Sequence, residues 1–221
     1  MPSTPVLKIY HVPLTRSVRI VWLCEALELP YERVPVDFSP AYRASPEWRK
    51  MNPVGKVPVL NDGDLTMFES GAMVQYILDR YGAGRLQPPA GTHAYAKFLQ
   101  WCWFAEATHA RPLGEIVNHN RVLAESDRSA VVVTEMQERS RACVQALDDE
   151  LAEHSFIVDD AFSAADIMVG YTLLLAERFA PQVFPANIKR YRALLKTTPG
   201  YTVATADITM PPAPPPELQN T

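Results

Sequence analysis

Apolar and polar residues alternate along Val6-Leu7-Lys8-Ile9-Tyr10, a run rich in branched and aromatic side chains that predicts a first strand. After a loop of His11 to Leu14 the period changes. Ile20, Leu23, Cys24 and Leu27 recur at helical spacing, with Thr15 or Ser17 placed to cap the helix and Leu29-Pro30 to end it. Tyr31 to Val36 reads as a second strand. A strand, a helix and a strand in so short a stretch make a βαβ unit, so the two strands are expected to be parallel. Residues 37–54 are irregular apart from a short helix over Pro46 to Met51. Two apolar runs, 57–60 and 65–68, then flank Asp62-Gly63, a strong hairpin signal. Pro58 cannot donate to a ladder and belongs at a strand start or sheet edge. A cis bond before it would turn a carbonyl and an N–H outward. Ser70 to Tyr81 follows as a helix, with Ala72, Met73, Tyr76, Ile77 and Tyr81 on one side.

Gly82 to Gly91 is rich in Gly and Pro and reads as a linker, ending a first domain at residue 81. Beyond it no strand pattern appears, and residues 92–205 are expected to form an all-helical domain. Thr92 to Leu113 is apolar and aromatic, 126–153 is a long amphipathic helix, Ser163 to Ala180 is more apolar, and Asn187 to Thr197 is the last. Ser163-Ala164-Ala165-Asp166 is a capping box, which makes Asp166 structural. The run from Ile167 to Ala176 is apolar nearly all round, so this helix is expected at the centre of the bundle. Five prolines at 211–216 make residues 206–221 a tail that cannot pack a core.

Composition narrows the class. With 221 residues, 48% of them apolar and 21% charged, the chain suits a globular protein of one large or two small domains. A net charge of −4 with no basic block weighs against nucleic acid as a partner. Cys24, Cys102 and Cys143 are odd in number and widely spaced, suggesting neither a disulfide framework nor a metal site. No run approaches the roughly 18 apolar residues of a membrane span, and no signal segment is evident, so the cytoplasm is the expected location.

The candidate chemistry lies around the hairpin. Glu69-Ser70 sits at a helix start, where a carboxylate and a hydroxyl join free helix N–H groups in a small polar pocket. Beside outward backbone groups at 57–58, such a pocket suits an extended, peptide-like ligand. The β-α-β-(α)-β-β-α order resembles a thioredoxin-like unit. Together with Asn52-Pro53-Val54-Gly55-Lys56-Val57-Pro58-Val59-Leu60, Phe68-Glu69-Ser70 and Phe162-Ser163-Ala164-Ala165-Asp166, the chain resembles the cytosolic glutathione transferase superfamily, in its bacterial and fungal theta- or beta-like members, to about residue 205.

That resemblance implies a thioredoxin-like α/β domain followed by an all-α helical bundle, with glutathione as co-substrate and neither metal nor nucleotide. It implies that the Val57 backbone pairs with the cysteine of glutathione beside a cis Pro58, and that Lys56 meets the glycine carboxylate. Glu69 would take the γ-glutamyl amine, and Ser70 with its helix N–H the carboxylate. Physically, two carboxylates and one ammonium along an extended backbone need two donors and one acceptor. The family's sulfur-binding hydroxyl or thiol follows the first strand. Here the usual serine position falls on Val12 and the cysteine position on Thr15, so the standard serine and cysteine are both absent. Thr15 is the choice, with Arg16 alongside; Ser17 and Tyr10 are rivals, and His11 reads as structural. Lowering a thiol pKa from ~8.5 to ~6.5 takes about 2.7 kcal/mol. A hydrogen bond to a charged group supplies roughly 1.5–3 kcal/mol and a helix N-terminus about 0.3–1 kcal/mol, so one hydroxyl at one helix end suffices.

The second-substrate pocket is expected between the domains, with Trp101, Trp103, Phe104, Glu106 and His109 as candidates, although only one side of their helix can face the cleft. The resemblance implies a homodimer, in which Glu106 could reach the neighbouring subunit's glutathione. The expected activity is addition of glutathione to small hydrophobic electrophiles. A glutathione-dependent reductase, lyase or peroxidase and a non-catalytic binding protein stay open as alternatives. The lack of a cysteine in 10–17 speaks against mixed-disulfide chemistry on the enzyme.

Overall fold

In the computed structural model, which describes residues 6–208, the alternation at the N-terminus becomes β1 (Leu7–His11), burying Leu7, Ile9 and His11 and turning Lys8 outward. It pairs parallel with β2 (Tyr31–Pro35), Leu7 opposite Tyr31, and antiparallel with β3 (Val59–Asp62), Ile9 opposite Leu60. With β4 (Leu65–Met67) at the other edge, the sheet order is β2-β1-β3-β4. The expected βαβ unit is therefore present, crossing through α1 (Ser17–Ala26). Residues 17–24 of α1 are all buried, as an apolar run beside a sheet should be.

The hairpin turn is one residue later than expected. Asp62 pairs with Leu65, so Gly63-Asp64 makes the turn, with Gly63 at φ +58. Asp62 is held in the strand because its buried carboxylate accepts hydrogen bonds from the Tyr76 and Tyr81 hydroxyls. The expected helix α3 (Pro46–Met51) is preceded by an additional one, α2 (Pro40–Ala44). Both start alike: Ser39 and Ser45 accept the Tyr42 and Trp48 N–H groups, and a proline follows each. α4 (Ser70–Tyr81) has the predicted bounds.

Residues 6–86 and 198–208 form one compact unit and 87–197 the other. The division falls inside the expected linker, and Arg85, donating to the Leu27 carbonyl at 3.0 Å, keeps 82–86 with the first unit. The helical domain ends earlier than the 205 expected, because α10 (Tyr201–Thr205) packs on α1. The Trp22 indole donates to the Pro199 carbonyl at 3.0 Å, and the Tyr201 ring meets it edge-on at 5.1 Å. Gly200, at φ +83, brings the backbone so close that a Cβ there would lie 2.6 Å from Glu25 Cβ. The proline-rich stretch from 209 onward lies outside the described residues.

In the second unit, the single helix expected over Thr92–Leu113 is two, α5 (His93–Trp103) and α6 (Ala110–Val117), joined by a wide π-turn at Phe104–His109. Pro112 lacks an N–H and its ring crowds the carbonyl four residues back, so the backbone widens just before it. A second π-turn, Asn118–Val122, carries the helix beyond the expected end. α7 (Ala130–Glu150) starts later than residue 126, at a Ser129 cap. α8 (Ala164–Phe179) is the predicted buried helix with its capping box. Asp166 accepts from the Ile157 and Ser163 N–H groups and the Ser163 and Tyr191 hydroxyls, which fits the structural role given to it. α9 (Ala186–Leu195) completes this unit, its first N–H groups capped by Asp148 of α7.

Candidate functional site

Three pieces of the first unit converge: the loop between β1 and α1, the bend before β3, and the start of α4. The antiparallel pairing of β1 with β3 ends at Tyr10 opposite Val59, and Val57-Pro58 directly precedes that last pair. Val12 and Tyr10 pack on the cluster of Trp48, Val57 and Val59. α1 carries the link onward to α4 through Arg19.

In the first piece, neither Thr15 nor Ser17 caps α1 as expected. Arg16 occupies the N-cap with no side-chain cap, because both hydroxyls turn back into the loop. Thr15 Oγ1 donates to the Val12 carbonyl at 2.7 Å and lies 2.8 Å from Ser17 Oγ. Ser17 Oγ is also 2.8 Å from His11 Nδ1, 3.1 Å from the Val12 carbonyl, and accepts the Val12 N–H at 3.3 Å. Ser17 is fully buried and His11 nearly so, whereas Thr15 and Arg16 are half-buried. Of Thr15 and Ser17, Thr15 alone keeps exposed surface. Burial, with Arg33 adding to it, pushes His11 down to about 4, so its ring is neutral near pH 7. The reading of His11 as merely structural missed its bond to Ser17, a contact six residues apart that a strand-to-helix loop creates.

The second piece is the bend 52–58. The Val57–Pro58 bond is cis, as expected, and Pro58 directly precedes β3. Asn52 braces the bend from inside: its amide donates to the Lys56 carbonyl at 2.8 Å and its oxygen accepts the Val54 N–H at 3.1 Å. Gly55, at φ +64, is required, since a Cβ would sit 2.7 Å from the Arg43 carbonyl oxygen. Lys56 is exposed, free to meet an anion from solvent. Val57 is 8% exposed, and among the described residues neither its N–H nor its C=O has a hydrogen-bond partner. Such a pair is a ready edge for an extended backbone.

The third piece is the start of α4. Glu69 occupies the N-cap in an unusual conformation, φ +77 and ψ 103, with an exposed side chain. Ser70 is 2% exposed, and its hydroxyl accepts from Arg19 Nη1 at 3.1 Å. Arg19 is wholly buried, a cation placed behind a helix N-terminus, and both favour a negative group in front of Ser70. The sequence carried a signal for it: Arg19 is the one charged residue among eight consecutive buried positions of α1.

The helical-unit candidates sit apart from this set in the chain. Trp101 is 4% exposed and meets Phe104 edge-on, with ring centres 5.0 Å apart. Phe104 and Glu106 are half-buried and lie within the π-turn, while Trp103 is 66% exposed. His109 is fully buried, its Nε2 3.2 Å from Ser140 Oγ, and burial pushes it down to about 4. Among the described residues no three His, Cys, Asp or Glu side chains cluster as metal ligands would, and no helix is long and apolar enough to cross a membrane.

A family model described as glutathione S-transferase, N-terminal domain, matches residues 5–79. Glutathione S-transferase hmp2 of Hypomyces subiculosus is 31% identical over 169 residues, 73% of this chain and 78% of that protein. Glutathione S-transferase 3 of Schizosaccharomyces pombe is 25% identical over 95% of this chain and 96% of its own. Among solved structures, glutathione transferase URE2P8 from Phanerochaete chrysosporium, crystallised with oxidized glutathione, superimposes with a TM-score of 0.81. That match has 24% identity, covers 94% of this chain and 96% of the other, and is a likeness of fold.

Proposed function

Since the chain belongs to the glutathione S-transferase family, we propose that it binds glutathione along Lys56–Ser70, stabilises its thiolate at Thr15, and adds it to small hydrophobic electrophiles. The observation that carries this reading is the Val57 main chain, a nearly buried N–H and C=O with no partner among the described residues. Leaving such groups unmade costs about 1–3 kcal/mol each. The cysteinyl residue of an extended tripeptide pairs with both at once. With its centre there, the γ-glutamyl carboxylate falls to Ser70, the α4 N-terminus and Arg19, its amine to Glu69, and the glycine carboxylate to Lys56. The thiol then points to the loop, where Thr15 donates to sulfur and Arg16 adds positive charge.

Chemistry through a thiol of the first unit is poorly served. Cys24 is fully buried and its thiol is pushed up to about 12, first by burial and then by Glu25. The 10–17 loop holds no cysteine. Phe104 and Glu106, half-buried in the π-turn, remain the proposed contacts for the electrophile, with Trp101 supporting the Phe104 ring. Exposed Leu65 and Phe68, and Trp103 in the helical unit, offer apolar surface to a second copy of the chain in the proposed homodimer.

The test is retention on immobilised glutathione, followed by assay with a panel of electrophiles, disulfides and hydroperoxides. Retention with thioether formation is the expected result. Failure to bind glutathione would overturn the reading, and binding without turnover on any of the three substrate types would reduce it to a glutathione carrier.

A further inference from the structure

The loop between β1 and α1 holds three side chains in series, of which only the outermost can touch a ligand. Thr15 is half-buried, Ser17 is wholly buried behind it, and His11 lies behind Ser17. In the ligand-free arrangement the Thr15 hydroxyl is spent on the Val12 carbonyl at 2.7 Å. To donate to sulfur, it must let that carbonyl go. A carbonyl left bare at a half-buried site would oppose the change.

The surroundings of the Val12 carbonyl remove that obstacle. Its oxygen also accepts the Thr15 N–H at 3.3 Å, and Ser17 Oγ stands 3.1 Å away. Ser17 has one hydrogen. If it points at the Val12 carbonyl, the serine oxygen must be satisfied by donors, and two are in place: the Val12 N–H at 3.3 Å and His11 Nδ1 at 2.8 Å. We propose that Ser17, oriented by a hydrogen on His11 Nδ1, takes over the Val12 carbonyl, and that the Thr15 hydroxyl then turns away from both that carbonyl and Ser17 Oγ, 2.8 Å from it, to donate to the glutathione sulfur. Ser17 and His11 are then positioning residues that act through Thr15 and touch no substrate. The inference rests on the assignment of the sulfur to Thr15.

The charges around the series are compatible with it. Burial and Arg33 lower the affinity of His11 for a second proton, against Asp207, so one ring nitrogen carries a hydrogen and the other does not. Arg33 and Asp207, which act on the ring in opposite directions, are themselves paired at 3.2 Å. Arg16 at the α1 N-cap is the nearest cation in sequence to Thr15.

The experiment titrates the thiol of enzyme-bound glutathione by its thiolate absorbance, in the full chain and in variants. Affinity for S-methylglutathione, which has no thiol to ionise, is measured alongside. Thr15→Val is expected to raise the titration midpoint by about one to two pH units. Ser17→Ala is expected to raise it by at least half as much, and Thr15→Val with Ser17→Ala no further than Thr15→Val alone. His11→Leu should behave as Ser17→Ala. His11→Asn, whose amide takes the place of Nδ1, should return the midpoint towards the parent value. S-methylglutathione affinity should stay within about twofold in the Ser17 and His11 variants. The histidine pair carries the test if Ser17→Ala does not fold.

A midpoint unchanged by Ser17→Ala and His11→Leu but raised by Thr15→Val would overturn the role of Ser17 and leave the sulfur site standing. A midpoint unchanged by Thr15→Val would overturn both. Additive shifts in the double variant, or parallel loss of S-methylglutathione affinity, would show that Ser17 merely shapes the loop and would also overturn the inference.

Discussion

Ser70→Ala separates what the α4 start does for the fold from what it does for a ligand. The hydroxyl is 2% exposed and accepts from the buried Arg19 guanidinium at 3.1 Å. A hydrogen bond to a charged group contributes roughly 1.5–3 kcal/mol, and each kcal/mol shifts the melting temperature of a chain this size by about 2–4 °C. Without ligand, the variant is therefore expected to melt about 3–12 °C lower. The same hydroxyl is assigned to the γ-glutamyl carboxylate, a second charge-assisted bond of similar size. Its loss weakens glutathione binding by about 10- to 150-fold. Thermal unfolding without ligand reads the first effect, and calorimetric titration with glutathione reads the second. Ser70→Thr, which keeps an oxygen in place, should recover most of both. A wild-type dissociation constant with a lowered melting temperature would refute the carboxylate assignment, showing that the hydroxyl serves Arg19 alone. An unchanged melting temperature would refute the buried bond itself.

Three further outcomes follow from the geometry. Glu69 sits at a positive φ of +77, which costs glycine less than a residue with a Cβ, so Glu69→Gly should raise the unfolding free energy by about 1 kcal/mol while weakening glutathione binding; loss of stability in a denaturant titration would contradict the strain. Gly200→Ala must fit a methyl group 2.6 Å from Glu25 Cβ and 2.8 Å from the Trp22 carbonyl at φ +83, and should cost about 2 kcal/mol or more by the same titration; a neutral result would contradict the close approach. His109, pushed down to about 4 by burial, stays neutral in the folded chain while the unfolded chain takes up a proton below about pH 6.5. Its contribution is thus intact above that pH and is lost as the pH falls towards 4, amounting to about 2 kcal/mol between roughly pH 7 and 5. His109→Gln, which keeps an amide facing Ser140, should flatten that part of the stability profile; equal slopes would refute the assignment.

Features fixed by local chemistry were legible in the sequence. The βαβ alternation, the cis bond at Val57–Pro58, the start of α4 at Ser70 and the Ser163–Asp166 capping box depend on neighbouring residues, and each is present. Features decided by a distant partner were not. The turn moved to Gly63-Asp64 because Tyr76 and Tyr81 hold Asp62 in the strand. Ser17 looked like a helix cap until His11 and Val12 claimed its hydroxyl. The helix through Trp101 was read as uniform since periodicity does not register a widened turn ahead of Pro112. Arg19 was legible in principle, as a charge within an apolar run, but its acceptor lies 51 positions away. The glutathione-site candidates Lys56, Val57, Pro58, Glu69 and Ser70 all fall in one unit with Thr15 and Arg16, whereas Trp101, Phe104 and Glu106 belong to the other.

The return of residues 198–208 to α1 bears on how this chain can be divided. Trp22, with no exposed surface, has part of its cover supplied by Pro199 and Tyr201 from the far end of the sequence. A fragment cut after Leu86 would contain every proposed glutathione contact and still lack that cover. The half proposed to hold the ligand is therefore not a transferable module: a single genetic crossover within 82–91 would graft it onto a foreign helical half without the piece that closes it. A chimera would inherit a working α1 only if its new partner ended in a segment able to seat on Trp22, a constraint that ties the last residues of one half to the first helix of the other.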